Sequence, residues 1–112
     1  MNELAQKQCK EVSGETAALN SKEAESLLLQ LEPRWQLDAD ARNISYRFGF
    51  DNFYQTMAFV NVIAQIAHQQ DHHPEMTIGY KNCLVTYTTH DAGGLSLKDM
   101  ICAAKINRAL QL

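Results

Sequence analysis

The chain of 112 residues predicts an α+β fold, a four-stranded antiparallel sheet with helices packed on one face. Two runs alternate apolar and polar residues with the period of a half-buried strand, Ile44 to Phe50 and Cys83 to His90. Between them, residues 52–73 carry an apolar stripe at helical spacing. Capping residues and two prolines, Pro33 and Pro74, mark where helices start and stop. The expected order is helix, strand, strand, helix, strand, strand, helix.

Residues 1–19 are polar and weakly periodic and read as a flexible lead, with room for a short helix, ahead of a single domain over 20–112. Asn20 or Ser21 caps the first helix, whose first turn carries Glu23 and Glu25, where acidic groups favour the positive helix end. Leu27, Leu28 and Leu31 form its apolar stripe. Trp35 and Leu37 suggest a short strand, and 38–41 a turn. In the strand from Ile44, the residues Tyr46, Phe48 and Phe50 share one face. Asp51 or Asn52 caps the second helix, with Phe53, Met57, Val60, Ala64 and Ala67 as its expected stripe. It must end near His73, because a residue before proline avoids helical angles. Two strands follow, Met76 to Tyr80 and Cys83 to His90, the first five residues and the second eight. Cys83, Val85 and Tyr87 face one way and Leu84, Thr86, Thr88 and His90 the other. A glycine-containing loop at 91–94 leads to a last helix through about Ala109, with Ser96 and Asp99 in the positions of a capping box.

Composition excludes several function classes. The hydrophobic fraction is 46%, the charged fraction 21% and the net charge −3, without a Lys/Arg run, which disfavours a nucleic-acid surface. No apolar stretch approaches the roughly 20 residues of a membrane span, and the first residues lack the apolar core of a signal peptide. Three cysteines, Cys9, Cys83 and Cys102, without Cys-x-x-Cys spacing suit reduced thiols in a cytoplasm.

All four histidines, His68, His72, His73 and His90, fall within 23 residues. Imidazole is the side chain whose ordinary pKa lets it give and take protons near neutrality. A metal site is one reading, since His68 and His72 lie four apart on a helix. Gln69, however, stands where the zinc-protease motif places its glutamate, which removes the general base of a histidine-metal hydrolase. Polar positions around a helix C-terminus are a second reading, because imidazolium interacts favourably with that end of the dipole. The third is metal-free acid–base catalysis, with His72 and His73 at a helix end and His90 at the close of a strand beside a glycine-rich loop.

His68, three residues, His72-His73-Pro74, five residues, Tyr80, nine residues, His90, eight residues and Asp99 together resemble the signature of the pterin-4a-carbinolamine dehydratases. The resemblance extends from about Ser21 to Ala109 and includes Trp35 and the Gly94-Leu95-Ser96 start of the last helix. It implies a small cytoplasmic lyase that dehydrates the 4a-hydroxytetrahydropterin released by aromatic amino acid hydroxylases. In that family His72, His73 and His90 match the three active-site histidines, the first and third for proton transfer and the second for holding the pterin. Asp99 matches the terminal aspartate, and His68, Trp35 and Tyr80 are implied as supporting residues. Position 68, often acidic in the animal members, is His here, and the lead looks like that of bacterial members. The resemblance further implies a homo-dimer or homo-tetramer, a pterin as substrate, no metal or other cofactor, and an aromatic amino acid hydroxylase as partner. The rival reading is a non-catalytic pterin-binding or regulatory module serving such a hydroxylase.

Overall fold

The computed structural model describes residues 3–13 and 17–112. Among these, three α-helices, α1 (Ser21–Leu28), α2 (Phe53–Gln70) and α3 (Leu97–Ala109), join four strands, β1 (Gln36–Leu37), β2 (Ile44–Gly49), β3 (Glu75–Ile78) and β4 (Asn82–Tyr87). The order is the expected one. The strands form one antiparallel sheet in the order β1-β2-β4-β3, with Tyr46 opposite Val85 and Thr77 opposite Leu84.

This register sets one face of the sheet against the helices. Ile44, Tyr46 and Phe48 on β2 and Cys83, Val85 and Tyr87 on β4 are all buried. Their neighbours Ser45, Leu84 and Thr86 are half-buried on the other face, and Arg47 is exposed. Trp35, just before β1, packs edge-on against Tyr46 and Phe48, with centroids 5.4 and 5.9 Å away. Such edge-to-face contacts stabilise beyond the area they bury. α1 begins with the expected box: the Asn20 side chain accepts from the Glu23 N–H, and Glu23 accepts from the Asn20 N–H.

Several features differ from the expectations: α1 ends at Leu28, before Leu31, and β3 ends at Ile78, before Tyr80. The buried stripe of α2 is Thr56, Phe59, Val60, Ile63, Ile66 and Gln70, not the one through Phe53, Met57 and the alanines. Both sets have helical spacing, but the first buries a phenylalanine and two isoleucines, and each alanine would bury far less apolar area. Phe53 and Ala64 are exposed.

The last strand stops at Tyr87 and does not reach His90. The Thr88 hydroxyl donates to the Arg42 carbonyl, and Thr89 bridges to Gly94 across a 3-10 turn, His90–Ala92. Gly93 at φ +76° makes that reversal with little strain.

The lead packs onto the domain. Residues 3–13 include two short 3-10 helices, Glu3–Gln6 and Cys9–Glu11, which place Leu4, Ala5 and Cys9 in the core. Both contact α3. The reason lies in that helix, where every residue from Asp99 to Asn107 is buried. The sheet and α2 cannot cover all its sides, and the lead covers the remainder. The Lys105 ammonium donates to the Ala5 carbonyl at 2.9 Å, and burial holds its pKa below the usual lysine value. The Cys9 N–H donates to the Gln70 side chain at 2.8 Å, tying the lead to the end of α2. The parts of the lead at 1–2 and 14–16 lie outside the described residues.

Leu4→Ala is therefore expected to lower the unfolding free energy by about 2–4 kcal/mol, as for a buried leucine. Urea denaturation measures it, and a loss under about 0.5 kcal/mol would show that the lead is not part of the core.

Candidate active site

The site forms where α2 ends. Asp71 caps that helix in the left-handed region at φ 51°, and its N–H and that of His72 both bond the Ala67 carbonyl. Aspartate is among the few residues that visit this region readily. The chain turns sharply there, and Pro74 prevents the helix from resuming.

That turn sends the two adjacent histidines in different directions. The His72 side chain is 12% exposed, and its ring lies nearly parallel to that of Tyr87, at 12° and 5.9 Å between centroids. Burial pushes the Tyr87 phenol well above its usual pKa, so it stays neutral beside the imidazole. His73 is exposed, with Nδ1 at 3.3 Å from the Pro74 carbonyl. A carbonyl can only accept, so this contact places the proton of His73 on Nδ1.

His72 Nε2 stands 2.6 Å from Oδ1 of Asp99, whose side chain is completely buried. Asp99 occupies the third position of α3 and does two things at once. Its Oδ2 accepts from the Ser96 N–H at 3.0 Å, completing the capping box. It also accepts from the Thr89 hydroxyl at 2.7 Å. With Nε2–H donated to a carboxylate, His72 keeps Nδ1 as a lone pair, and no described group hydrogen-bonds it. An imidazole held this way can take a proton at Nδ1, and the imidazolium formed is stabilised by the carboxylate behind it.

A cleft of about 400 Å³ opens over these groups, lined by His72, His73 and His90. This volume lies in the range of small-ligand pockets. His90 enters from the 3-10 turn, exposed, with neither ring nitrogen hydrogen-bonded among the described residues. Glu75, Thr86 and Lys98 also line the cleft and were not anticipated from the sequence. Among the described residues, no group of three or more His, Cys, Asp or Glu side chains is arranged to hold a metal ion, and no helix is long and apolar enough to cross a membrane.

Four of the seven anticipated residues thus converge, His72, His73 and His90 on the cleft and Asp99 behind them. The other three do not line it. His68 is exposed on the last turn of α2. Trp35 is core, consistent with its aromatic contacts. Tyr80 is 66% exposed and stacks on Phe53 at the start of α2, the opposite end of that helix from the histidines.

Residues 17–109 match the protein family described as pterin 4 alpha carbinolamine dehydratase. The chain belongs to this family. A relative from Nitrosomonas eutropha, named provisionally as a pterin-4-alpha-carbinolamine dehydratase, is 56% identical over 108 residues, covering 96% of this chain and 94% of that one. One of the same name from Legionella pneumophila strain Corby is 47% identical over 109 residues, 97% and 96% of the two chains. The crystal structure of a protein from Brucella melitensis, described as a transcriptional coactivator/pterin dehydratase, superimposes with a TM-score of 0.76 at 31% identity, over 81% of this chain and 96% of that one. As a dehydratase, the protein acts by removing water, which requires proton transfer to a departing hydroxyl.

If the Asp99 carboxylate holds His72 in its Nε2–H form, Asp99→Asn should lower kcat by about 10²–10⁴-fold, the usual contribution of a positioned acid or base. Asparagine offers one acceptor oxygen where the carboxylate offers two, so the melting temperature should also fall, and kcat is read at a temperature where the variant is folded. Unaltered kcat in a folded variant would reduce Asp99 to a cap.

Proposed function

We propose that this protein dehydrates a 4a-hydroxytetrahydropterin, the 4a-carbinolamine, to the quinonoid dihydropterin by general acid–base catalysis with histidines. In this reaction the C4a–O bond breaks and the hydroxyl departs as water after gaining a proton. N5 loses its hydrogen as a proton, and a C4a–N5 double bond forms. The N5 lone pair assists departure of the hydroxyl. The chemistry therefore asks for one proton acceptor, one donor and a flat pocket, and draws on no metal or organic cofactor.

The observation that carries this reading is the contact of His72 with the buried Asp99 carboxylate. It favours His72 Nδ1 as acceptor of the N5 proton. His90, across the cleft on its 3-10 turn, protonates the leaving hydroxyl, and His73 holds the pterin. The reaction belongs to recycling of a tetrahydrobiopterin-type cofactor after an aromatic amino acid hydroxylase has used it. The three buried free thiols suit a cytoplasmic setting. An exposed aromatic cluster, Phe53, Tyr54 and Tyr80, supports assembly into a homo-dimer or homo-tetramer.

A non-catalytic pterin-binding or regulatory role beside a hydroxylase is the rival reading. The Brucella melitensis protein, described as a transcriptional coactivator as well as a pterin dehydratase, supports a regulatory role.

Purified protein should accelerate decay of enzymatically generated 4a-carbinolamine, with a chelator leaving the rate unchanged. Loss of rate on chelation, restored by zinc, would replace the histidine mechanism with a metal one. No acceleration at all would favour the binding module.

Within the acid–base reading, His72→Ala and His90→Ala should chiefly lower kcat, and His73→Ala should chiefly raise KM. His68→Ala, altering a residue outside the cleft, should stay within about threefold of the unmodified enzyme, far less than the loss expected of an acid or base. Equal KM effects at all three cleft histidines, or inactivity of folded His68→Ala, would contradict this division of roles.

A further inference from the structure

Two hydroxyls stand between the backbone of α3 and the Asp99 carboxylate, and their hydrogen bonds run in one direction only. The Lys98 N–H, which can only donate, lies 3.2 Å from the Ser96 hydroxyl oxygen. The Ser96 and Thr89 hydroxyl oxygens are 2.7 Å apart. The Thr89 hydroxyl lies 2.7 Å from Oδ2 of Asp99, which as a carboxylate can only accept. Thr89 has one hydroxyl proton and it goes to Asp99, so the proton between the two hydroxyls comes from Ser96. Ser96 in turn accepts from Lys98.

Donors of this kind also fix where the carboxylate plane lies. Oδ2 takes the Thr89 hydroxyl and the Ser96 N–H, which leaves Oδ1 directed to His72 Nε2. Without the Thr89 hydroxyl, one fixed donor remains on Oδ2 and the carboxylate gains freedom to rotate. Thr89 is itself held from two sides, by its backbone bridge to Gly94 and by its place directly before His90.

We infer that Thr89 is a positioning residue of the dehydratase site, which acts through Asp99 to hold His72 as the Nε2–H tautomer with Nδ1 free, and that Ser96 orients the Thr89 hydroxyl. The inference rests on the role proposed for His72 in proton transfer. A threonine beside a catalytic loop would ordinarily be read as packing. Here the hydroxyl is the functional part, because the chain of donors reaches the imidazole only through it.

Thr89→Val removes the hydroxyl and keeps the shape; Thr89→Ser keeps the hydroxyl. Thr89→Val should lower kcat for the 4a-carbinolamine about 10- to 100-fold, the range a hydrogen bond to a charged group is worth, with KM within about twofold. Thr89→Ser should recover kcat to within about threefold of the unmodified enzyme on the same scale. The ring ¹⁵N shifts of His72, read by NMR without substrate, should show one tautomer in the unmodified protein and in Thr89→Ser, and a mixture in Thr89→Val. Loss in the serine variant with kcat kept in the valine variant would make the methyl the functional part and overturn the inference, and equal loss in both would overturn it by showing that the hydroxyl does not restore function. So would a folded Thr89→Val with unaltered kcat and shifts.

If Thr89→Val does not fold, Ser96→Gly carries the test, since glycine replaces a serine cap at a cost of only a few tenths of a kcal/mol. It should move the His72 shifts in the same direction by a smaller amount, and unmoved shifts would overturn the role of the chain. The NMR result does not depend on turnover. An inactive unmodified protein whose His72 shifts still respond to Thr89→Val would refute the proposed reaction and leave the positioning role standing.

Discussion

A single buried carboxylate joins the architecture of this protein to its chemistry. Asp99 lies at the first turn of α3, and its two oxygens hold the end of α2 through His72, the loop after β4 through Thr89 and its own helix start through Ser96. A charge removed from water this completely is costly unless hydrogen bonds replace its hydration. Three donors do so here. Each comes from a different segment of the chain, so the carboxylate is satisfied only when all three segments are in place. The same contacts that offset its desolvation therefore assemble the cleft.

The carboxylate sits at the start of a helix that is buried from Asp99 to Asn107, and residues 3–13 complete the cover by seating Leu4, Ala5 and Cys9 in the core. The thiols of Cys9 and Cys102 meet at 3.7 Å, and Cys102 also approaches the His72 carbonyl at 4.0 Å. The lead thus packs directly behind the turn that carries the histidine pair. Its contribution to the site is indirect, through the rigidity of α3 and the end of α2.

Much of this was legible in the sequence because it rests on local chemistry. The alternation from Ile44 to Phe48 fixes a strand, Asn20 and Asn52 cap helices with their own side chains, and Pro74 ends α2. The histidines were legible as a group because imidazole is uncommon and their spacing is close. What stayed hidden depends on contacts between distant segments. The choice between two faces of α2 is decided by what the sheet presents, since the stripe through Phe59 and the stripe through Met57 both have helical spacing. The end of β4 at Tyr87 depends on a bond from Thr88 to Arg42, 46 residues away. Asp99 looked like a helix cap and is one, but its second oxygen bonds His72, 27 residues earlier. Thr89 carried no signal, since an isolated threonine near a strand end is among the commonest of observations.

The placement of the histidines also shows how the backbone itself is used. Two residues with positive φ stand beside the site, Asp71 immediately before His72 and Gly93 closing the turn that begins at His90. Each marks an abrupt change of direction at the end of a regular element, and each turn is short. A longer, looser connection would bring the same residue types near the cleft with more freedom in their orientation, and misplacement by about 1 Å is enough to cost catalysis heavily. Glycine relieves strain where the loop needs only to reverse. At the end of α2 the left-handed residue is an aspartate, which has less freedom in the unfolded chain than glycine and so loses less on folding. The sharper constraint thus falls on the turn that delivers His72, the imidazole already bound to a buried charge.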